Sequence, residues 1–165
     1  MAKKTGYGLI ALTHLARAEG CCVSARVIAG EYGVPLSLLM NVLKILSAGG
    51  YVQSYRGPRG GYSLVRPADQ VTLAEVMETI EGPIRFVACA TARGEADEDR
   101  CRLVARCPIH RTVCRLHKRM RQFLEGVTIA DLAAEGMALP EPETIASGSA
   151  AVGYGDGKRL NISRP

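Results

Sequence analysis

The sequence predicts a mainly α-helical fold with a small β-hairpin, and three observations lead to that prediction. Three short segments with helical spacing of apolar residues come first in the chain. Two alternating segments around a glycine-rich tip follow them, as in a hairpin. A longer segment then carries an apolar repeat with spacings of 4, 3, 4, 3 and 4 residues, which is typical of a helix that packs against another helix.

Capping and turn residues mark the bounds of the first three helices. The first is predicted over residues 5–18. Ser24 is a suitable N-cap for a second helix over residues 24–32, because its hydroxyl can accept a free backbone N–H of the first turn. Pro35 suits the first turn of a third helix over residues 35–48.

The hairpin is predicted over residues 51–56 and 62–66, and a capping box formed by Thr72 and Glu75 opens a fourth helix. Three helices followed by a hairpin form a winged helix-turn-helix, which we assign to residues 1–82. The glycine-rich tip is the structural turn of the wing, where glycines let the backbone approach another surface closely. Its turn residues are Gly57, Pro58, Gly60 and Gly61.

The second half of the chain divides into three parts. Residues 83–107 form a loop that carries cysteines, and residues 108–137 form a long dimerisation helix with a short terminal helix. Residues 138–165 are rich in Pro, Gly, Ser and charge, a composition typical of a disordered tail. The apolar repeat of the long helix predicts a homodimer, with packing on the chain's own first helix as the alternative. The repeat consists of Ile109, Val113, Leu116, Met120, Phe123 and Val127.

Charge and cysteine content indicate the compartment and the partner. The formal net charge is +5, and the basic residues concentrate in residues 1–67 and 101–121, which favours a polyanion such as double-stranded DNA. No hydrophobic N-terminal segment or membrane span is predicted, so we expect a cytoplasmic protein. Six cysteines in that compartment favour metal or redox chemistry over disulfides.

The third helix and the wing hold the candidate DNA-binding residues. In a helix-turn-helix the second helix of the pair lies in the major groove, where Asn and Lys side chains can bind base edges or phosphates. An arginine on a narrow wing tip suits the minor groove. The glycine-rich tip leads into a strand and not into a helix N-terminus, which excludes a nucleotide-binding phosphate loop. The candidates are Ser37, Asn41 and Lys44 on the helix, and Arg56 and Arg59 on the wing.

The cysteine-bearing segment holds the candidate metal ligands. Thiolates hold iron–sulfur clusters, and thiolates with imidazoles also suit tetrahedral zinc. We place Cys107 at the N-cap of the long helix, where the helix dipole favours a thiolate, with His110 one turn further on. Metal-free redox thiols remain a third interpretation, and Cys21 and Cys22 are given no special role.

The chain resembles the Rrf-type winged-helix regulators, which include the IscR and NsrR iron–sulfur sensors, and is most similar to regulators of SUF iron–sulfur assembly. The resemblance runs from about residue 4 to residue 132. Its strongest parts are Thr5-Gly-Tyr-Gly-Leu-Ile, Ser24-Ala-Arg, Tyr55-Arg-Gly-Pro-Arg-Gly-Gly-Tyr-Ser-Leu and Glu81-Gly-Pro.

This resemblance implies a homodimer on a palindromic operator and a 2Fe–2S cluster, or in some members a 4Fe–4S cluster. It implies Cys89, Cys101 and Cys107 as the three thiolate ligands and His110 as the fourth ligand. Eleven residues separate the first two cysteines, whereas relatives commonly have five. The extra Cys114 is the alternative fourth ligand.

These observations lead to one main functional hypothesis and two alternatives. The main hypothesis is a transcriptional repressor that responds to an iron–sulfur cluster and so to redox state or nitric oxide. The first alternative is a DNA-binding regulator with structural zinc or redox thiols and no cluster. The second is an electron-transfer protein. An enzyme is not predicted, because the sequence has no nucleophile paired with a base and no substrate-pocket motif.

Overall fold

A computed structural model describes residues 3–58, 60–84 and 106–134 of the 165-residue chain. These residues form helices packed around one aliphatic core, with a two-stranded antiparallel sheet at one side. In chain order the elements are α1 (Lys3–Arg17), α2 (Ala25–Tyr32), α3 (Leu36–Ala48), β1 (Val52–Tyr55), β2 (Gly61–Leu64), a 3₁₀ turn (Ala68–Gln70), α4 (Leu73–Glu81), α5 (His110–Gly126) and α6 (Ile129–Ala133). The predicted mainly α-helical winged helix-turn-helix is confirmed.

The turn between α2 and α3 has the local chemistry that the sequence predicts. The Ser24 hydroxyl accepts the backbone N–H of Val27 and caps α2. Gly33 ends α2 in the left-handed region, with φ of 63°, a conformation that costs glycine little. Pro35 then stands at the N-cap of α3, where its missing N–H removes no helical hydrogen bond.

Burial of one face of α3 determines how this helix sits in the domain. The leucine stripe of α3, formed by Leu39, Leu43 and Leu46, packs against α1 and α4, so the opposite face of the helix is left to solvent. This burial contributes about 1.5–3 kcal/mol for each large aliphatic side chain. The largest fully buried side chains of α1, α2 and α3 are Leu12, Leu15, Ile28, Leu39, Leu43 and Leu46.

The wing is held to the body by a short third strand pairing. Val52 pairs with Leu64 and Tyr55 with Gly61 in the hairpin, and Val23 forms an additional antiparallel bridge with Tyr62. The Val23 N–H donates to the Tyr62 carbonyl at 2.9 Å, and the Tyr62 N–H donates back at 2.8 Å. The segment before α2 therefore fixes the base of the wing.

The conformation of the tip explains its glycines. A Cβ on Gly61 would be closer to the Val23 carbonyl oxygen than real Cβ atoms approach any atom, and one on Gly60 would collide with the Tyr55 carbonyl. The close approach that we expected toward another surface is therefore an approach to the chain's own backbone. Gly57 has φ of 119°, which side chains rarely tolerate.

Two capping boxes lie side by side where α4 and α6 begin. Thr72 and Glu75 form the predicted one, and the Thr72 backbone N–H lowers the pKa of Glu75 by donating to its carboxylate at 3.0 Å. Thr128 and Asp131 form the second, with the same effect on the pKa of Asp131. An isolated bridge between Thr72 and Thr128 joins the two helix starts.

Helix α5 packs mainly against α4, while α6 packs against α1. Arg121 on α5 binds Glu78 on α4 and Glu125 on its own helix, each with a nitrogen–oxygen distance of 2.8 Å. Arg17 on α1 donates to the Ala133 carbonyl of α6 at 3.0 Å. Intramolecular packing of the long helix on the first helix is therefore not its main contact.

The long helix begins later than the sequence predicts. It starts at His110 with Ile109 at its N-cap, so Cys107 lies before the helix and is not its N-cap. The Cys107 carbonyl accepts the His110 N–H at 3.4 Å in the preceding turn. Pro108 is a residue type common at the first position of a helix, which is why the earlier start was predicted, yet here it forms part of that turn.

The last residue of the predicted apolar repeat does not belong to the long helix. Val127 lies beyond the end of α5 and is buried in the domain core. Its carbonyl accepts the Leu73 N–H at 2.8 Å. The prediction that Val127 belongs to the packing seam of the long helix is therefore wrong.

In the part of the chain that the structure describes, no helix has the length and apolar character needed to cross a membrane. Cys89, Cys101, Arg59 and the tail over residues 138–165 lie outside the described residues. The expectations about them stay predictions.

We expect Gly61→Ala to lower the free energy of unfolding by about 1–3 kcal/mol, as overpacking does, because the new methyl group would break the Val23–Tyr62 pairing. Gly30→Ala is the matched control: Gly30 is exposed on α2, and a methyl group added there would meet nothing within 4 Å. That variant should be neutral or up to about 1 kcal/mol more stable. Urea unfolding measures both, and equal stabilities would contradict the proposed role of Gly61.

Candidate DNA-binding surface and cysteine segment

The solvent-facing side of α3 carries the polar residues that the sequence singled out. Ser37, Asn41 and Lys44 are all exposed, on the side opposite the leucine stripe. Their spacing of four and three residues aligns them along one face of the helix. The arrangement can present a hydroxyl, an amide and an ammonium group to the floor of a groove.

Two apolar side chains are also exposed on α3 and were missed by the sequence reasoning. Leu38 is 41% exposed and Met40 is 48% exposed. They stand on opposite edges of the polar stripe, with Met40 on the edge nearer Leu36. Helical spacing could have located them, but a search for hydrogen-bonding side chains passes over apolar ones.

The wing tip projects from the body as a tight turn. The Gly60 N–H donates to the Gly57 carbonyl at 2.9 Å and closes the turn around Pro58. Arg56 and Pro58 are exposed at this tip. An exposed guanidinium on so narrow a projection can enter a minor groove, where the negative potential of DNA is concentrated.

The base of the wing is attached to α4 through side chains. The Tyr51 hydroxyl lies 3.1 Å from the Thr79 hydroxyl, and the Arg66 guanidinium lies 6.0 Å from the centre of the Tyr51 ring. Arg66 also pairs with Glu75 at 3.7 Å and donates to the Gln70 carbonyl. The sequence singled out Glu75 for its capping box alone and did not single out the other residues, because these roles depend on contacts across the fold.

A cleft of about 600 Å³ separates α3 from the wing. Leu36 and Met40 line the helix side, while Ser54, Tyr55 and Arg56 line the wing side. Arg26, on the first turn of α2, lies at the same cleft. Apolar and polar side chains therefore both line the cleft, and two arginines are among them.

The candidate metal ligands are only partly brought together. Cys107, His110 and Cys114 are half-buried at the start of α5, whereas Cys89 and Cys101 lie outside the described residues. Because Cys107 precedes the helix by several residues, the helix dipole acts on its thiol less directly than we expected. In the described part of the chain, no group of three His, Cys, Asp or Glu side chains has the geometry to hold a metal ion.

One pair of soft donors does converge. The Cys114 Sγ lies 3.6 Å from the His110 Nδ1, one helical turn away. Tetrahedral zinc with a thiolate at about 2.3 Å and an imidazole at about 2.0 Å has these two atoms about 3.5 Å apart. A sulfur–nitrogen hydrogen bond has a similar distance. The observed distance therefore fits both two ligands of one metal ion and a hydrogen bond.

Comparison with known proteins identifies the family. The sequence profile of Rrf2, described as an iron-dependent transcriptional regulator, matches residues 1–135. The chain belongs to the Rrf2 family. This confirms the resemblance drawn from the hairpin and helix motifs, and it makes the protein a DNA-binding transcriptional regulator and not an enzyme.

Individual relatives share moderate sequence identity with this chain. A protein of Aquifex aeolicus named as an HTH-type transcriptional regulator is 31% identical over 126 residues, which span 76% of this chain and 85% of the relative. The global cysteine regulator CymR of B. subtilis is 26% identical with a TM-score of 0.62, covering 81% of this chain and 95% of CymR. IscR of T. potens is 26% identical with a TM-score of 0.60, covering 84% and 91%.

Proposed function

We propose that this Rrf2 protein is a transcriptional repressor that senses an iron–sulfur cluster, and through it redox state or nitric oxide. The observation that carries the proposal is the half-buried placement of Cys107, His110 and Cys114 at the start of α5, with the last two in contact. Thiolates and imidazole are the donors that iron–sulfur clusters take from proteins. The family's description as iron-dependent supports the same conclusion.

The proposed ligands are Cys89, Cys101 and Cys107, with His110 or Cys114 as the fourth. A 2Fe–2S cluster is favoured over 4Fe–4S by the resemblance to the IscR branch. A bound cluster would supply electron transfer and sensitivity to oxidants. The chain's own part is to hold three thiolates together and so tie residues 89–107 to the first turn of α5.

A route from α5 to the wing is available through α4. On α4, Glu78 forms an ion pair with Arg121 of α5. Two further residues of α4 contact the base of the wing: Glu75 pairs with Arg66, and the Thr79 hydroxyl lies close to the Tyr51 hydroxyl. A shift of α5 against α4 would therefore displace the contacts that hold the wing. We propose that ligation of the cysteines acts on DNA affinity through this packing.

We also propose a cytoplasmic homodimer that binds a palindromic operator. Ile109, at the N-cap of α5, and Leu116 and Phe123, within the helix, are exposed at seven-residue intervals. They form one apolar stripe that the described residues leave uncovered. A second copy of the helix would cover it. Two recognition helices related by a two-fold axis would read half-sites about 34 Å apart, or a multiple of that distance.

A regulator without a cluster is the second candidate. The 3.6 Å separation of Cys114 and His110 suits zinc as well as iron. The chain is also similar to CymR, named as a global cysteine regulator, and not only to IscR. In either case the DNA-binding surface would be the same and only the signal would differ.

We expect protein purified without oxygen to be brown, with iron and sulfide in equal amounts and a visible spectrum that identifies the cluster. Cys107→Ala should lose most of the iron and the colour, because it removes a proposed ligand. Cys21→Ala is the matched control, since Cys21 is an exposed thiol in the loop between α1 and α2. It should retain both.

Single variants His110→Ala and Cys114→Ala, compared by the same spectra, would identify the fourth ligand. Colourless wild-type protein with one zinc per chain after cluster reconstitution would refute the iron–sulfur proposal and favour the second candidate. Loss of iron in Cys21→Ala would show that the proposed ligand set is wrong.

The wing arginines should contribute to DNA affinity. We expect Arg56→Ala and Arg59→Ala each to weaken binding, and to reduce the slope of log affinity against log salt by about 0.9 for each phosphate that is no longer neutralised. Arg119→Ala removes the same charge from an exposed position on α5 and should change affinity less than about twofold. Fluorescence anisotropy with a selected duplex measures all three, and equal effects would mean that charge alone matters.

The exposed stripe of α5 should control the oligomeric state. Sedimentation should give wild-type protein twice the chain mass of 17.6 kDa. Leu116→Glu should give the monomer mass, because burial of a carboxylate in an apolar interface is unfavourable. Val27→Glu is the control, since Val27 on α2 is 53% exposed and Leu116 is 57% exposed. Monomeric wild-type protein would refute the dimer proposal.

A further inference from the structure

We infer that Met40 determines operator specificity by contacting the 5-methyl group of a thymine at the major-groove edge nearest the wing. The inference rests on the proposed operator binding and assigns a base-reading role to a side chain that cannot hydrogen-bond to a base edge. It adds an apolar contact to the polar face of Ser37, Asn41 and Lys44.

The position of Met40 on α3 supports this role. It precedes Asn41 by one residue and Lys44 by four, so it borders the polar stripe on one side. Nearly half of its side chain is exposed, although the core lies on the other face of the same helix. An unbranched thioether can adapt to an irregular apolar surface, which suits contact with a methyl group.

Exposure alone does not distinguish Met40, because Leu38 on the opposite edge is exposed almost as much. The cleft distinguishes them: Met40 and Leu36 form its helix wall, facing Tyr55 and Arg56 on the wing, and Leu38 does not line it. Met40 thus stands between the recognition face and the wing.

The cleft is placed to receive one strand of the DNA. When α3 lies in the major groove and the wing enters the adjacent minor groove, the strand that separates these grooves must pass between helix and wing. Arg26 and Arg56 both line the cleft and are cationic, so they complement the phosphates of that strand. The apolar side chains of Leu36 and Met40, which also line the cleft, suit deoxyribose and methyl groups.

Base chemistry then favours thymine at the position beside Met40. The thymine methyl group projects into the major groove on the side of its own strand. Met40 lines the cleft that would receive this strand, so it would meet the methyl group there. Cytosine would present an amino group nearby and no methyl group, and a thioether offers that donor only a weak acceptor. Met40 should therefore prefer thymine over cytosine on the strand that enters the cleft.

The test uses full-length protein and the operator that it selects from random duplex DNA. Each thymine of that operator is replaced in turn by deoxyuridine, which differs only by the methyl group. We expect one thymine in each half-site to show about a fourfold loss of affinity, the value for one buried methyl or methylene group. In Met40→Ala that loss should vanish, so that the duplex with thymine and the duplex with deoxyuridine at this position bind equally.

Leu38→Ala is the matched control, because it truncates an exposed apolar side chain of the same helix outside the cleft. It should keep the full preference for thymine over deoxyuridine. The inference is overturned if no thymine is sensitive in wild-type protein, if Met40→Ala retains the sensitivity, or if Leu38→Ala loses it equally. Failure of the wild-type protein to enrich any sequence would overturn the proposed operator binding together with this inference, whereas enrichment without methyl sensitivity would overturn the inference alone.

Discussion

The burial of the leucine face of α3 is the constraint on which the rest of the structure depends. Leu39, Leu43 and Leu46 are fully buried, and their burial against α1 and α4 determines which side of the helix meets solvent. A rotation of the helix by one residue would expose part of that face and would bury a polar side chain. The apolar packing therefore orients the residues assigned to the DNA-reading face. These residues are exposed and do not themselves fix the orientation of the helix.

Helix α4 is the element that joins the parts of the molecule. It packs against α1, α3 and α5, and it contacts the wing base through Thr79 and Glu75. Its nine residues are too few to be stable alone, so its position follows from its caps and its neighbours. A change on α5 can therefore reach the wing without passing through the recognition helix.

Features set by nearby residues could be predicted from the sequence, and features set by distant ones could not. The Thr72–Glu75 capping box and the exposed polar stripe of α3 both follow from spacings of three or four residues, and the structure contains both. The burial of Val127 depends on contacts with residues more than 50 positions away, so its apolar character was misread as part of a helix seam. The roles of Met40 and Gly61 likewise required the wing and the segment before α2 to be in place.

Among the described residues, several contacts hold the C-terminal end of α5 to the body. Its C-terminal end is held by the Val127–Leu73 hydrogen bond, by the Thr72–Thr128 bridge and by Arg121, while His110 stands at the far end. Seventeen helical residues span about 25 Å. A tilt of about 5° around the C-terminal end of the helix would move the His110 end by roughly 2 Å. A small rotation at the C-terminal end of α5 and a large displacement of its cysteine-bearing end are therefore the same motion.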